Sequence, residues 1–401
     1  MPVGPHMPEL QEYLDKIAKL RRAYSQSAAA GRSSDQNEAN CFEFASANLR
    51  HLLPMIPIAE HGEIINEIFS TQARAALDED SCFLFDGIKI NDPAGMLQTA
   101  RQNPVIFCTF HFGSYRLINQ VIVSRGLNYI LPVTSEIYVT QKKRYEDGLK
   151  VLQAYFKTDS QLMVVNAEER TSALSMARRT RAGWSLLAYI DGNTGVQGPG
   201  RRDAKTLSVP LLGKPIFARK GIAFLSHFLK LPIVPVLCEI TGEMTCSMTF
   251  HEKIDPRAAS EDRDAYCRMA TEKLYTILGE YLKRSPAQWE GWLDMQKYLD
   301  MDTIAGSEGT DEDSVETASP AEDIADGRLV FNRERFGFIV QEDGRALLDK
   351  DSYKLLSLPQ NITDILEAYR EPAPAPSADA AQEQRDIVAQ LVSMGMLSVV
   401  N

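Results

Sequence analysis

Apolar and polar positions follow two different periods along the 401 residues. Up to about residue 100, apolar residues recur every three or four positions, which predicts helices. From Asn103 onward, short apolar runs alternate with helix-length segments. This alternation predicts an α/β fold with a largely parallel central sheet flanked by helices, following a helical N-terminal region. The runs that carry it are PVIFCTF, NYILPVTS, LMVV, SLLAYID and LPIVPVLCEI.

A second change of pattern separates a small C-terminal piece. Residues 302–326 contain nine acidic residues and no basic one, so they account for nine of the eleven excess negative charges. Such a composition predicts a disordered linker. Short strands and two helices after it predict a small winged-helix-like α+β domain. The predicted segments are a helical region packed on the core (1–100), an α/β domain (101–300), the acidic linker (301–327) and the C-terminal domain (328–401).

Composition excludes several classes of function. Without the linker the chain is nearly neutral, which gives no support to nucleic-acid binding. No apolar run approaches the ~18 residues of a membrane span, and the N-terminus lacks a signal pattern, so we expect a cytoplasmic protein without stable membrane insertion. The six cysteines form no C-x-x-C pair and none has zinc-ligand spacing, which predicts reduced thiols and no metal site.

Two polar residues stand where predicted strands end. His111 follows PVIFCTF and precedes a helix-like segment, and Asp191 ends SLLAYID. Ligands of parallel α/β sheets collect at the carboxyl ends of strands, so both residues are candidates for one catalytic site. Imidazole titrates near neutrality and suits a general base. On spacing alone, His111 could equally cap a helix and Asp191 could begin a turn.

The order of several motifs adds a family resemblance. CTFHFGSYR around His111, then YIDGNTG, then SVPLLGKPIFARKGIAFLSHFLKLPIVPV resemble the bacterial lipid A late acyltransferases, within the glycerolipid acyltransferase-like superfamily. Residues 286–289 and Trp292 resemble that family's closing tryptophan motif, and the resemblance covers residues 104–298. It implies an enzyme that transfers an acyl group from a thioester of CoA or acyl carrier protein, with His111 as base, Asp191 in the site and no further cofactor.

One residue departs from that family. An acid is expected five places after the histidine, but Arg116 stands there, and a guanidinium cannot accept a hydrogen bond. We expect Arg116 to lower the His111 pKa and to leave the ring unoriented. Three explanations stay open. Asp191 or Glu136 replaces the missing acid, or His111 acts alone on a good nucleophile such as an amine, or the domain has lost the reaction and only binds.

Further residues are predicted to bind substrate. The arginines could hold the phosphate of a phosphopantetheine arm or an acidic carrier protein, or could simply form a solvated basic face. The N-terminal region lacks the membrane anchor of the lipid A enzymes, which favours a soluble acceptor. The predicted substrate-binding residues are Arg116, Glu136, Asn193, Arg201, Arg202 and Arg219.

The C-terminal pattern of strands, helices and a closing VSMGML resembles the PqqD-like peptide-recognition fold. That resemblance implies that a precursor peptide binds by adding a strand to a sheet edge; a generic winged-helix or dimerisation module is the alternative. We therefore expect a soluble acyltransferase that modifies an amine or hydroxyl of a tethered peptide-like acceptor in a biosynthetic pathway. The alternatives are a non-catalytic peptide-binding scaffold of the same fold and an acyltransferase for a small soluble metabolite.

Overall fold

The computed structural model describes residues 7–30, 36–191, 205–258, 262–300, 327–341, 344–377 and 379–400. The predicted acidic linker (301–327) lies outside them, apart from Gly327. The chain divides into two compact units. Unit 1 comprises Met1–Ala30 and Glu63–Leu299, and unit 2 comprises Gly31–Gly62 and Asp300–Asn401.

Unit 1 contains a seven-stranded sheet in the order β1-β9-β8-β2-β5-β3-β4. All neighbours are parallel except β8 and β9, which are antiparallel. The predicted α/β class with a largely parallel sheet is therefore confirmed. The strands of this unit are β1 (Ile88–Asn91), β2 (Ile106–Gly113), β3 (Tyr129–Val133), β4 (Leu162–Asn166), β5 (Ser185–Tyr189), β6 (Thr206–Leu211), β7 (Lys214–Arg219), β8 (Ile233–Ile240) and β9 (Cys246–Phe250).

Helices cover the sheet because its central strands are apolar on both faces. In β2, the side chains of Ile106, Phe107, Cys108 and Phe110 are all fully buried. Complete burial of one such large apolar side chain stabilises a fold by roughly 1.5–3 kcal/mol. The helices of unit 1 are α1 (Met7–Ala30), α3 (Ile58–Glu79, from Glu63 onward), α4 (Met96–Thr99), α5 (Ile118–Ser124), α6 (Ser135–Phe156), α7 (Ser172–Arg181), α8 (Gly221–Leu229) and α9 (Arg263–Arg284), whereas α2 (Gln36–Leu52) belongs to unit 2.

Strand β2 ends in an irregularity that displaces its last residues from the regular ladder. Thr109 pairs with Val236 of β8, but Gly113 pairs with Cys238, so four residues of β2 span two of β8. Gly113 has φ +58°, and a Cβ there would lie 2.1 Å from the Cys238 carbonyl oxygen, so only glycine fits. His111 therefore lies inside the irregular end of β2, rather than after the strand as the sequence suggested.

A β-hairpin follows the residues that the structure leaves undescribed after Asp191. Strands β6 and β7 pair antiparallel from Thr206 and Arg219 to Leu211 and Lys214. The two residues between them, Leu212 and Gly213, have φ +52° and +83°, as a type I′ turn requires. The sequence analysis treated this segment as a motif leading to a helix and missed the hairpin.

Unit 2 contains two three-stranded sheets, β11-β12-β13 and β14-β10-β15. Its apolar core combines both sheets with two helices and includes Leu329, Leu347, Leu366 and Leu391. The elements are β10 (Arg328–Phe331), β11 (Phe336–Gln341), β12 (Gly344–Asp349), β13 (Leu355–Ser357), α10 (Gln360–Ala368), β14 (Ala373–Pro374), α11 (Gln382–Ser393) and β15 (Leu397–Val400).

Helix α2 belongs to unit 2 and occupies the outer edge of strand β11. The Asn40 side-chain amide donates to the Val340 carbonyl and accepts from the Val340 N–H, both at 2.8 Å. The Asn40 amide thereby pairs with both backbone groups of Val340, as a neighbouring strand would. A buried ion pair between Lys350 and Glu43, at 2.8 Å, holds the same helix. A segment of the first 100 residues, assigned by the sequence analysis to a region packed on the α/β core, thus contributes to this unit.

We predict that Asn40→Ala destabilises unit 2, because it removes both partners of a half-buried backbone N–H and C=O. The expected loss is about 1–3 kcal/mol, together with faster hydrogen exchange at the Val340 amide. Urea unfolding and exchange mass spectrometry measure these two quantities. Gln360→Ala, which removes an exposed bond to Asp364, is the matched control and should stay within about 0.5 kcal/mol of wild type. Equal stability of the two variants would contradict the prediction.

Candidate active site

His111 and Asp191 meet because β2 and β5 are parallel neighbours. Thr109 is in register with Tyr189, and each candidate stands two residues beyond one member of that pair. The carboxyl ends of the two strands therefore place both side chains at one edge of the sheet. His111 Nδ1 lies 2.8 Å from Asp191 Oδ1. Of the three explanations for Arg116, this geometry matches replacement of the missing acid by Asp191.

The Asp191 carboxylate is almost completely enclosed and accepts several hydrogen bonds. The backbone N–H of His111 donates to both oxygens, at 3.1 and 3.0 Å, and the Trp289 indole N–H donates to Oδ2 at 2.8 Å. Only 4% of the Asp191 side chain is exposed. Because a carboxylate can only accept, the His111 proton facing it sits on Nδ1. Nε2 is then the nitrogen that can accept a proton from a substrate.

The charge of Asp191 controls the protonation of His111. Burial lowers the His111 pKa, but the negative charge of Asp191 and its hydrogen bond outweigh burial, so that the pKa is raised above the ordinary value. Arg116 also lowers it, more weakly. Arg116 thus lowers the His111 pKa as expected, but Asp191 outweighs it. The expectation of an unoriented ring is wrong, because Asp191 orients it.

The segment that contains Trp289 and Trp292 lies beside the end of β2, next to His111. Trp289 forms an antiparallel bridge with Phe112, directly after His111. Gln288 accepts from the Ile240 N–H at 2.8 Å and donates to the Ile240 carbonyl at 2.9 Å, which anchors this segment on the end of β8. Trp292 packs edge-on against Trp289 at 5.2 Å between ring centroids. These contacts fix the indole N–H that holds Asp191.

Arg116 pairs with the carboxylate of Glu79, whereas His111 pairs with that of Asp191. Its Nη1 donates to Glu79 at 2.7 Å and its Nε to the Tyr115 hydroxyl at 3.2 Å. Arg144 shares Glu79, at 2.9 Å. The guanidinium thus braces Tyr115, whose ring packs 4.7 Å from the His111 ring; the Tyr189 ring lies 5.3 Å from His111.

A buried polar network supports the residues that follow Gly113. Ser114 and Tyr13 both donate to the Asp78 carboxyl, Tyr13 at 2.7 Å, and Arg74 forms an ion pair with it at 3.4 Å. Burial raises the Asp78 pKa, and Arg74 opposes that shift. Removing one partner of such a buried pair typically costs about 3–5 kcal/mol. The turn after His111 is thereby tied to α1 and α3.

Two of the remaining predicted residues, Glu136 and Arg219, lie in the described structure. Glu136 is exposed in the first turn of α6, and no hydrogen bond or ion pair joins it to His111. Arg219 ends β7, opposite Thr206. Asn193, Arg201 and Arg202 lie within residues 192–204, outside the described residues. Of the six predicted substrate-binding residues, the structure places Arg116 beside the site.

The described part of the chain contains no group of three His, Cys, Asp or Glu side chains arranged to hold a metal ion. Nor does any helix among the described residues combine the length and apolarity needed to cross a membrane.

Sequence reasoning missed the roles of Glu79, Trp289 and Glu290. Glu79 gave no signal, because it lies far from Arg116 in the chain. Trp289 was recognised as part of a motif, but nothing linked it to Asp191. Glu290 could have been found as a carboxylate between two tryptophans of that motif. Its carboxyl is mostly buried and acts electrostatically on His111.

Comparisons with known proteins add little to what the geometry of the site indicates about function. No protein-family model matches the chain, and no curated protein matches its sequence. One solved structure, that of the 1-acyl-sn-glycerophosphate (LPA) acyltransferase PlsC from Thermotoga maritima, aligns with a TM-score of 0.31 and 14% sequence identity. The alignment covers 68% of this chain and 98% of that one. A likeness this distant carries no argument about function.

We predict that Asp191→Asn lowers the His111 pKa. The negative charge that raises it disappears, whereas burial, which lowers it, remains. In the wild type the pKa should lie above the ordinary histidine value, and in the variant below it, as measured by NMR titration of labelled imidazole. His61, whose burial lowers its pKa to about 4, is the internal control and should not move. An unchanged His111 titration would contradict the role of Asp191.

Proposed function

We propose that this protein is an acyltransferase that moves an acyl group from a thioester to an amine or hydroxyl, with His111 as general base. The observation that supports it best is the 2.8 Å contact between His111 Nδ1 and Asp191, which leaves Nε2 as the proton acceptor. A base oriented by a buried carboxylate at a strand end is the arrangement that acyl transfer requires. The sequence resemblance to lipid A acyltransferases points to the same chemistry.

The proposed reaction runs through one proton shuttle. His111 Nε2 takes a proton from the acceptor as its nitrogen or oxygen attacks the thioester carbonyl. Asp191 stabilises the imidazolium, in keeping with the raised His111 pKa. The tetrahedral intermediate then breaks its C–S bond, and the imidazolium returns the proton to the leaving thiolate. The products are the acylated acceptor and a free thiol, so no further cofactor is needed.

We further propose CoA or an acyl carrier protein as donor, a peptide-like acceptor and a cytoplasmic location. The support for the acceptor is the PqqD-like pattern of the C-terminal sequence, whose relatives bind peptides by strand addition. In unit 2 the outer edge of β11 is engaged by Asn40, whereas β13 is the opposite outer strand and has an exposed Leu355. We therefore propose that the peptide adds as a strand to the outer edge of β13.

We predict that His111→Ala reduces acyl-thioester turnover by about 10²–10⁴-fold, the usual contribution of a general base. Release of free thiol from acyl-CoA or acyl carrier protein measures it, with circular dichroism to confirm folding. His227→Ala on α8, outside the site, is the control. Equal turnover in wild type and His111→Ala would instead favour the non-catalytic scaffold.

A further inference from the structure

Glu290 is held rigidly beside the His111–Asp191 pair by its chain neighbours. The preceding Trp289 bridges Phe112 and bonds Asp191, and the following Gly291 lies against the Trp289 ring. A Cβ on Gly291 would lie 2.2 Å from that indole, so no larger residue fits without moving it. The backbone on both sides of Glu290 is therefore positioned by the site itself.

The Glu290 carboxyl is buried but incompletely hydrogen bonded. Oε2 accepts a long hydrogen bond of 3.4 Å from Gln72, and the Tyr115 hydroxyl also interacts with the carboxyl as a hydrogen-bond donor. Oε1 is a buried atom that accepts no well-formed hydrogen bond from the described residues. A buried acceptor without a donor is unfavourable, and more so when it is charged. A donor supplied by a bound substrate would remove that cost.

The charges around Glu290 are set by the catalytic residues. Burial raises its pKa most; His111, Arg116 and a hydrogen bond from the Tyr115 hydroxyl lower it, and Asp191 raises it. The net effect is a raised pKa, which makes this carboxyl a better proton acceptor than an exposed glutamate. Arg116 does not neutralise it by direct contact, because its guanidinium is bound to Glu79 and the Tyr115 hydroxyl.

The proposed mechanism has no task for this second carboxyl if the acceptor is an alcohol. An alcohol has one proton to lose, and His111 takes it. A primary amine arrives at neutral pH as an ammonium and must lose one proton before it can attack and a second one as it does so. Two proton acceptors, one of them anionic, fit an ammonium acceptor.

We propose that the acceptor is a primary amine that binds as an ammonium, donating an N–H to Glu290 Oε1. The inference rests on the proposed acyltransferase function and names its acceptor class. The Tyr115 and Tyr189 rings beside His111 add faces that attract a cation.

The proton balance of this reaction is complete. The ammonium gives its first proton to the Glu290 carboxylate and becomes a neutral amine. The amine nitrogen attacks the thioester carbonyl and gives a second proton to His111 Nε2. The C–S bond breaks, and His111 protonates the leaving thiolate. Glu290 then returns its proton to solvent, and the products are an amide, a thiol and one released proton.

We predict that the site binds n-butylammonium more tightly than 1-butanol, and that Glu290→Gln removes this preference. Loss of a hydrogen bond to a charged group corresponds to about a 10- to 100-fold weaker affinity for the ammonium, with 1-butanol little changed. The shift of the labelled His111 ring during NMR titration of the full chain reports binding. Glu290→Asp keeps the charge and should retain part of the preference, whereas the control Glu280→Gln, exposed on α9, should retain all of it.

The outcomes separate this inference from the proposed function. Equal or weaker binding of n-butylammonium than of 1-butanol, or a preference that survives Glu290→Gln, would overturn the amine assignment. Thioester cleavage that still depends on His111 would then leave the acyltransferase proposal intact. Transfer assays with glycinamide and glycolamide add a second comparison. Acylation of glycolamide at least as fast as of glycinamide would also overturn the amine assignment.

Discussion

The site depends on supplying hydrogen-bond donors to one buried carboxylate, that of Asp191. The Asp191 side chain is 4% exposed, and a buried negative charge is tolerated only with several hydrogen-bond donors around it. Its donors come from three places: the backbone of β2, the imidazole of His111 and the indole of Trp289. Two strand ends and the closing segment therefore have to be assembled to place these donors around Asp191. The same bonds that stabilise the charge orient the base.

Much of this arrangement could be predicted because it follows from strand adjacency. The alternation of apolar runs and helical segments predicted parallel strands, and polar residues at their carboxyl ends predicted a site at His111 and Asp191. What the pattern could not supply was the order of strands in the sheet. Only the order β2-β5 brings these two ends together; had another strand intervened, Asp191 would lie about 10 Å away, since neighbouring strands are ~4.8 Å apart.

The parts that could not be predicted depend on contacts between distant segments. Arg116 looked like a disturbance of His111, but its partner Glu79 ends a helix 37 residues earlier, and no local pattern reveals that ion pair. Asn40 pairs with Val340 across 300 residues. The β6–β7 hairpin could not be predicted for another reason, because Leu212 adopts a positive φ, which is uncommon for leucine.

The acid that orients His111 follows a neighbouring strand, and this sets the charge of the site. In the lipid A family pattern the acid follows the histidine by five residues; here that position carries Arg116, which is paired with Glu79. Two carboxyls, Asp191 and Glu290, then act electrostatically on His111, and the Arg116 guanidinium is already paired with Glu79. A base in such surroundings attracts cations, so an ammonium acceptor gains from the same charges that hold His111 in place. Asp191 accepts from three donors, whereas Glu290 Oε1 accepts no well-formed hydrogen bond from the described residues. This difference supports the proposal that Asp191 orients the base and Glu290 binds the acceptor.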